Sequence, residues 1–371
     1  MRPRLSRLAP LRVPLGMLVA GLVFLSLPWW PPFDASYRVT QLQLAAALTI
    51  IVLGLNLLTG YSGQISIGHS GFVLVGAYVL ALLLDRGLLG LPVHPVLAVL
   101  AATAVAAALG LAVGVPALRL SGPYLAIVTV GFALVVPAVL KWDALSELTG
   151  GIQGVLVSSP RPPDTLPSEV TPGRWRYFVI AMPAVAAGAL AWNLAHSRFG
   201  RVLIAIREDE LAAEQVGIDV ARHKALAFGM SAGYAGLGGA LFSYASLGFV
   251  APDAYGLLDS ISYLTAIVVG GLGSIPGSVL GALFVAYEPE VVDWVLGDSW
   301  TVALGSHRLL AVPSPFRAIE EPAALSPAVY GLLLIVTILV APRGLAGVAS
   351  ALGRRVGRMA ARAGERVRSR L

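Results

Sequence analysis

Long apolar runs recur along almost the whole sequence, and that recurrence confines the chain to one environment. Residues 12–30, 40–58, 65–84, 92–117, 122–141, 175–194, 224–248 and 326–342 form such runs. A further run, 258–287, is interrupted by Gly270-Gly271-Leu272-Gly273-Ser274-Ile275-Pro276-Gly277. A helix needs about 20 predominantly apolar residues to cross the hydrocarbon core. The expected fold is therefore all-α: a polytopic membrane protein with about ten membrane passages, some of them short or broken. Composition agrees, with 57% hydrophobic and 12% charged residues among 371, against about 45–50% and about 25% in soluble chains. These values exclude a soluble enzyme, a disordered protein and a typical nucleic-acid binder. Cysteine is absent, which removes disulfides, thiol catalysis and thiolate metal sites.

The excess of basic residues sets the orientation. Of 26 Lys and Arg, 17 fall in residues 1–12, 195–224 and 343–370, as expected of cytoplasmic segments. Both termini and the 195–223 loop are accordingly expected in the cytoplasm. The basic start and apolar run of 12–30 also resemble a signal peptide, but Pro28-Trp29-Trp30-Pro31-Pro32 is a poor cleavage site, so an uncleaved first helix is expected. Six runs precede the loop, and the chain must cross an even number of times after it. Residues 258–287 then form a hairpin of two short helices turning at 270–277. That leaves 142–174 and 288–325 outside, the latter with Glu288, Glu290, Asp293, Asp298, Glu320 and Glu321 against Arg308 and Arg317. Residues 1–345 form one transmembrane domain, and 346–371 a basic cytoplasmic tail, either solvated or lying on anionic lipid.

Enzyme signatures fail. No His precedes a Glu and no Lys follows a Gly, so zincin and Walker motifs are absent. Gly229-Met230-Ser231-Ala232-Gly233 matches the nucleophile-elbow pattern, which requires a strand before it and a helix after. Here it lies in a helical run dense in glycine, where close helix packing explains it better. Gly273, Gly277 and Gly281 recur every four residues and read as one packing face.

Two stretches are irregular where the chain is otherwise apolar. One is 270–277. The other is Gly60-Tyr61-Ser62-Gly63-Gln64-Ile65-Ser66-Ile67-Gly68-His69-Ser70-Gly71, too polar for a lipid-facing helix. Irregular backbone at membrane depth survives only inside protein or along a wet cavity, and paired interruptions point to a transport path. A cytoplasmic turn with polar helix packing is the alternative. Asp85, Lys141 and Glu147 fall at span ends and suit the interface, whereas His69 is a candidate intramembrane titrator or a neutral hydrogen-bonding partner.

The loop Ser197-Arg198-Phe199-Gly200-Arg201-Val202-Leu203-Ile204-Ala205-Ile206-Arg207-Glu208-Asp209-Glu210-Leu211-Ala212-Ala213-Glu214-Gln215-Val216-Gly217-Ile218-Asp219-Val220 is rich in both charge signs. Residues 206–216 predict a short charged helix stopped by Gly217. Such a helix, held between two spans, suits docking into a partner's groove.

This loop resembles the coupling loop of branched-chain amino-acid ABC transporter permeases. Four other stretches match the same family: Gly54-Leu55-Asn56-Leu57-Leu58-Thr59-Gly60-Tyr61 running on to Gly71-Phe72; Arg119-Leu120-Ser121-Gly122-Pro123-Tyr124 through Phe132; Leu148-Thr149-Gly150-Gly151; and Gly270-Gly271-Leu272-Gly273-Ser274. The closing Pro342-Arg343-Gly344-Leu345 fits as well. The matches run in order from about residue 40 to 345. Longer 288–325 and Pro-rich 152–174 segments depart from the family pattern.

The resemblance implies an importer subunit in a bacterial cytoplasmic (inner) membrane. Its partners would be a second permease, two ATPase subunits that use ATP, and an extracytoplasmic solute-binding protein. The chain itself would hold no cofactor, metal or catalytic residue. Implied ATPase-coupling residues are Arg207, Glu208, Asp209, Glu210, Ala213, Glu214 and Gly217. Those implied to line or hinge the path are Asn56, Tyr61, Gln64, Ser66, His69, Gly270, Gly271, Gly273 and Ser274. Branched-chain or other hydrophobic amino acids are the implied solutes, with amides or urea as alternatives within the family. An ATP-independent secondary transporter is the alternative outside it.

Overall fold

The computed structural model describes residues 15–30, 33, 35–88, 91–117, 123–296, 299–304, 307–313, 326–341 and 344–347. The helices are α1 (Leu15–Ser26), α2 (Ser36–Leu55), α3 (His69–Asp85), α4 (Pro95–Ala117), α5 (Pro123–Leu140), α6 (Ser146–Thr149), α7 (Pro172–His196), α8 (Arg198–Glu208), α9 (Glu210–Gln215), α10 (Val220–Phe242), α11 (Leu257–Gly270), α12 (Ile275–Leu296) and α13 (Ser326–Val340). Every apolar run becomes a helix. Among the described residues, five helical stretches are long and apolar enough to cross a membrane: Ser36–Tyr61, Pro95–Val115, Pro172–His196, Val220–Leu247 and Ile275–Val292. A sixth forms if Tyr124–Leu140 and Asp143–Thr149, bent by 62°, make one span. Gly16–Trp29, His69–Asp85 and Leu257–Gly270 are shorter apolar helices. The tail from 348 onward and residues 314–325 of the segment expected outside lie beyond the described residues.

Helices α2 and α10 form the centre, with 89% and 78% of their apolar stretches buried against 22% for α4. Glycine makes this possible, because without a Cβ two helix backbones can approach closely. Gly54 on α2 lies against Tyr234 and the Ser231 carbonyl of α10. Gly236 packs on Gly76 of α3 and Ala106 of α4, Gly238 on Ile51, and Gly239 on the Val73 carbonyl. A Cβ at any of these positions would overlap its neighbour. Ser231 is fully buried in the middle of α10, with no strand ahead of it, so the elbow pattern is a packing motif.

The hairpin expected at 258–287 is present as α11 and α12, joined through Gly271–Ser274. The four-residue glycine pattern is not one helix face, because Gly273 lies in the turn at φ +72°. Gly277 and Gly281 alone lie on α12, seated on Gly270 and on the Ala266 carbonyl of α11. Two antiparallel strand pairs are the exceptions to helix. Strand β1 (Val155–Leu156) pairs with β2 (Phe249–Val250), joining the two segments that follow α6 and α10. Strand β3 (Ser299–Leu304) pairs with β4 (His307–Pro313), and together with the end of α12 it occupies the front of 288–325. On the β1–β2 side, Lys141 and Asp253 form a 2.6 Å ion pair. Arg86 donates to the Glu147 carbonyl.

The 195–223 loop departs from the single helix expected over 206–216. It forms two helices, α8 and α9, because Asp209 adopts extended backbone and its carboxylate accepts from Ala212 N at 3.0 Å. An aspartate that caps in this way takes its own residue out of the helix. Ser197 caps α8 (3.3 Å from Gly200 N) and Asp219 caps α10 (2.9 Å from Arg222 N) in the same manner. The stop at Gly217 is as expected. Gly217 sits at φ +84°, and the paired bonds Ile218 N to Ala213 O (3.1 Å) and Gly217 N to Glu214 O (2.9 Å) close a Schellman turn.

Candidate functional site

The first irregular stretch begins inside α2. From Asn56 to Tyr61 the backbone widens to a π-helical turn, and the chain then runs without helix to His69. Turns of this kind leave main-chain groups without a helical partner and are frequent at functional sites. Side chains of the stretch supply the missing partners. Ser62 Oγ donates to Leu58 O (2.7 Å), Thr59 Oγ1 to Gln64 O (3.0 Å), and Gln64 Nε2 to Ser62 Oγ (2.9 Å) and Lys224 O (3.3 Å). Neighbouring helices supply the rest. Ile67 N donates to Thr129 Oγ1 of α5 (3.1 Å), and Ser70 N to Ser260 Oγ of α11 (2.9 Å). Gly68 lies against the Thr129 backbone too closely for any side chain. Most of the stretch is thus buried against neighbouring helices, while Gly63 and Ile65 are exposed.

The second break, Gly271–Ser274, has fewer bonds of its own. Ser274 N donates to Gly271 O (3.2 Å), and Ser274 Oγ caps α12 by accepting from Gly277 N (3.1 Å). Gly271 at φ +117° and Gly273 at φ +72° hold backbone that L side chains rarely adopt. Gly344, beyond α13, rests on the Gly270–Gly271 backbone, where a Cβ would overlap it. The closing Pro-Arg-Gly-Leu motif therefore reaches this break through its glycine.

The two breaks meet at Asn56. Its side chain is fully buried and makes three bonds across the gap. Asn56 Oδ1 accepts from Gly273 N (2.8 Å), and Nδ2 donates to Ser274 O (3.0 Å) and Ser278 Oγ (2.8 Å). Gly60 stands so near Asn56 Oδ1 and Gly273 N that only glycine fits. The loop joins the same place. Arg207, in the last turn of α8, donates from Nη1 to the Gly60 carbonyl. Lys224 at the start of α10 pairs with Glu210 of α9 at 2.5 Å.

Asn56, Gly273 and Ser274 are thus bonded at one junction, with Gly270 and Gly271 in the chain leading to it, while Tyr61 is buried at the end of the π-helical turn and Gln64 bonds Ser62 and Lys224 instead. Ser66 and His69 stand beyond it. Both are buried, and neither Ser66 Oγ nor His69 Nε2 has a partner among the described residues. The His69 ring contacts Phe72 edge-on. In the loop, Glu208, Asp209, Glu210, Glu214 and Gly217 are exposed, while Ala213 points inward with Ile206 and Val220. Leu211 and Val216, within the segment 207–217 expected to couple, are 71% and 77% exposed on its outer side. Ile206, Ala213 and Val220 at seven-residue spacing mark the inward face and leave these two outside it.

The sequence matches the family described as "Branched-chain amino acid transport system / permease component" over residues 37–338, from the start of α2 into α13. The chain belongs to this family. Among its relatives, the high-affinity branched-chain amino acid transport system permease protein LivM of Escherichia coli (strain K12) is 33% identical over 305 residues, 74% of this chain and 68% of LivM. BraD of Pseudomonas aeruginosa, a permease protein with the same description, is 25% identical over 296 residues, 76% of this chain and 95% of BraD. The probable branched-chain amino acid transport permease protein LivM of Methanocaldococcus jannaschii is 26% identical over 332 residues, covering 80% and 89%. No solved structure matches. Both breaks, the α11–α12 hairpin and the α8–α9 loop of this permease lie inside the region matched by the family.

Proposed function

We propose that the chain is the membrane-spanning subunit of an ABC importer for branched-chain and other hydrophobic amino acids in a bacterial cytoplasmic membrane. In this reading an external binding protein delivers the solute, a second permease completes the pathway, and two ATPase subunits dock on the loop. In this reading the chain passes the membrane about ten times, the shorter apolar helices included, with both termini and the loop in the cytoplasm and 142–174 and 288–325 outside. Ser66, His69 and the Asn56 junction lie along the path. One observation carries the reading: the cytoplasmic loop is bonded directly to the place where two membrane helices are broken. A push on α8–α9 therefore reaches the helix breaks without an intervening element. The exposed face of Leu211, Glu214 and Val216 is the docking surface for the ATPase.

The test is ATP-driven leucine uptake by the co-expressed assembly in proteoliposomes. Glu214→Arg is expected to abolish uptake and ATPase recovery while leaving membrane insertion intact, and normal uptake would reject the docking role. Transport driven by an ion gradient is the competing reading, favoured by the unpartnered nitrogen of buried His69. Leucine flux in vesicles without ATP would select it.

A further inference from the structure

We propose that Arg207 transmits motion of the loop to the helix breaks through its bond to Gly60, rather than docking the partner as its neighbours do. This deepens the reading above and rests on it where nucleotide-driven transport is concerned. Arg207 is flanked in sequence by exposed acidic residues, Glu208 to Glu210, and by position alone belongs with them. Arg207 is exposed as they are, but its guanidinium is bonded to another element. The aliphatic stem crosses Gly63, whose φ of +74° and missing side chain leave the space the stem fills. The guanidinium then reaches the Gly60 carbonyl at the end of the π-helical turn. A Cβ built on Gly273 would stand 3.5 Å from both Arg207 Nη1 and Gly60 O. One side chain at the end of α8 thus crosses Gly63 and bonds Gly60, beside the space that a side chain at Gly273 would enter.

The chemistry suits the task. The Gly60 carbonyl lies where the helix of α2 has ended, so its oxygen is open to a donor from outside that helix. A charged donor makes a stronger bond to it than a neutral one. Arginine in the last turn of α8 also interacts favourably with that helix's negative end. On the far side of the same carbonyl, Asn56 holds Gly273, Ser274 and Ser278. A displacement of α8 therefore pulls on Gly60 through Arg207, and the second break follows through Asn56. Glutamine at 207 is too short to span Gly63. Lysine reaches the carbonyl with a single donor and is expected to restore much of the function.

The experiment compares Arg207→Gln, Arg207→Lys and, as a control, Arg201→Gln, whose arginine is exposed on the same helix and bonded to the His196 carbonyl. The co-expressed assembly is purified in nanodiscs. ATPase recovery, ATP hydrolysis and leucine uptake are measured together with hydrogen exchange of the full chain. Arg207→Gln is expected to retain the ATPase subunits and hydrolysis, while leucine transported per ATP falls about tenfold, the effect of roughly one lost charged hydrogen bond. Amides of 58–64 and 271–274 exchange faster, Arg207→Lys recovers both readouts, and Arg201→Gln changes neither. Loss of the ATPase subunits from Arg207→Gln would overturn the proposal by making Arg207 a docking residue. Unchanged transport per ATP, or unchanged exchange, would overturn it as well. If wild-type chain recovers no ATPase, the importer reading itself fails. The exchange measurement then still decides whether Arg207 pins the breaks.

Discussion

The two helix breaks face each other but are held in different ways. The 56–68 stretch carries its own partners: Ser62 and Thr59 bond its main chain, Gln64 ties Ser62 to Lys224, and Thr129 of α5 accepts from Ile67 N. The Gly271–Ser274 break is glycine and backbone, with one serine cap and otherwise the side chain of Asn56 reaching over from the first break. A stretch with several independent bonds tolerates the loss of any one. A stretch held by a single external residue does not. In the importer proposed above, the asymmetry would make the first break a fixed frame and the second a hinge whose shape is set from outside. The Arg207 contact enters on the frame side, so under the proposed role the loop would act on the hinge through Asn56.

The largest expected effect is that of Asn56→Leu, which removes the shared residue. Ser274 O keeps a bond from Ser278 N at 3.0 Å, so the main loss is the stranded Gly273 N–H. Burying that donor and losing two further bonds is expected to lower stability by about 3 kcal/mol, read as the unfolding midpoint of the chain in detergent. Gly60→Ala comes next. Its new methyl meets Asn56 Oδ1 and Gly273 N and wedges the breaks apart, at about 2 kcal/mol by the usual cost of overpacking. Exchange at 271–274 should rise in both variants. If exchange rose only at 56–64, the second break would be self-supporting and the comparison would fail.

Much of this arrangement was legible in the sequence. The polar run 60–71 and the glycines at 270–274 mark both breaks, because neither composition suits a lipid-facing helix. Gly217 marked the end of the loop helix, because a positive φ there favours glycine. Pairing was not legible. Asn56 reads as one polar residue in an apolar helix, and its partner Ser274 is 218 residues away. Only the packing of α2 on α12 brings them together. Asp209 misled because its helix-capping chemistry lies among helix-forming glutamates, so one helix was expected where its carboxylate divides two. Arg207 misled for a related reason. Charge alone does not say which way a long side chain turns, and the glycine that seats it is Gly63, on a different element.

Two smaller substitutions sharpen the contrast between frame and hinge. Ser62→Ala removes the donor to Leu58 O and the acceptor for Gln64 Nε2, but Gln64 N still bonds Leu58 O at 3.3 Å and Gln64 still reaches Lys224. A loss of about 1 kcal/mol is expected, with transport retained. Ser274→Gly removes the cap of α12 while keeping the residue's carbonyl bond to Asn56. Replacing a capping serine by glycine costs only about a few tenths of a kcal/mol, so the unfolding midpoint should barely move. The comparison turns on this last pair of values. If the hinge depends on Asn56, its own cap is nearly dispensable and Ser274→Gly stays well below Asn56→Leu in cost. If Ser274→Gly instead matched Asn56→Leu, the break would be held from within by its cap. The frame would then have no grip on it, and motion of the loop would stop at Gly60.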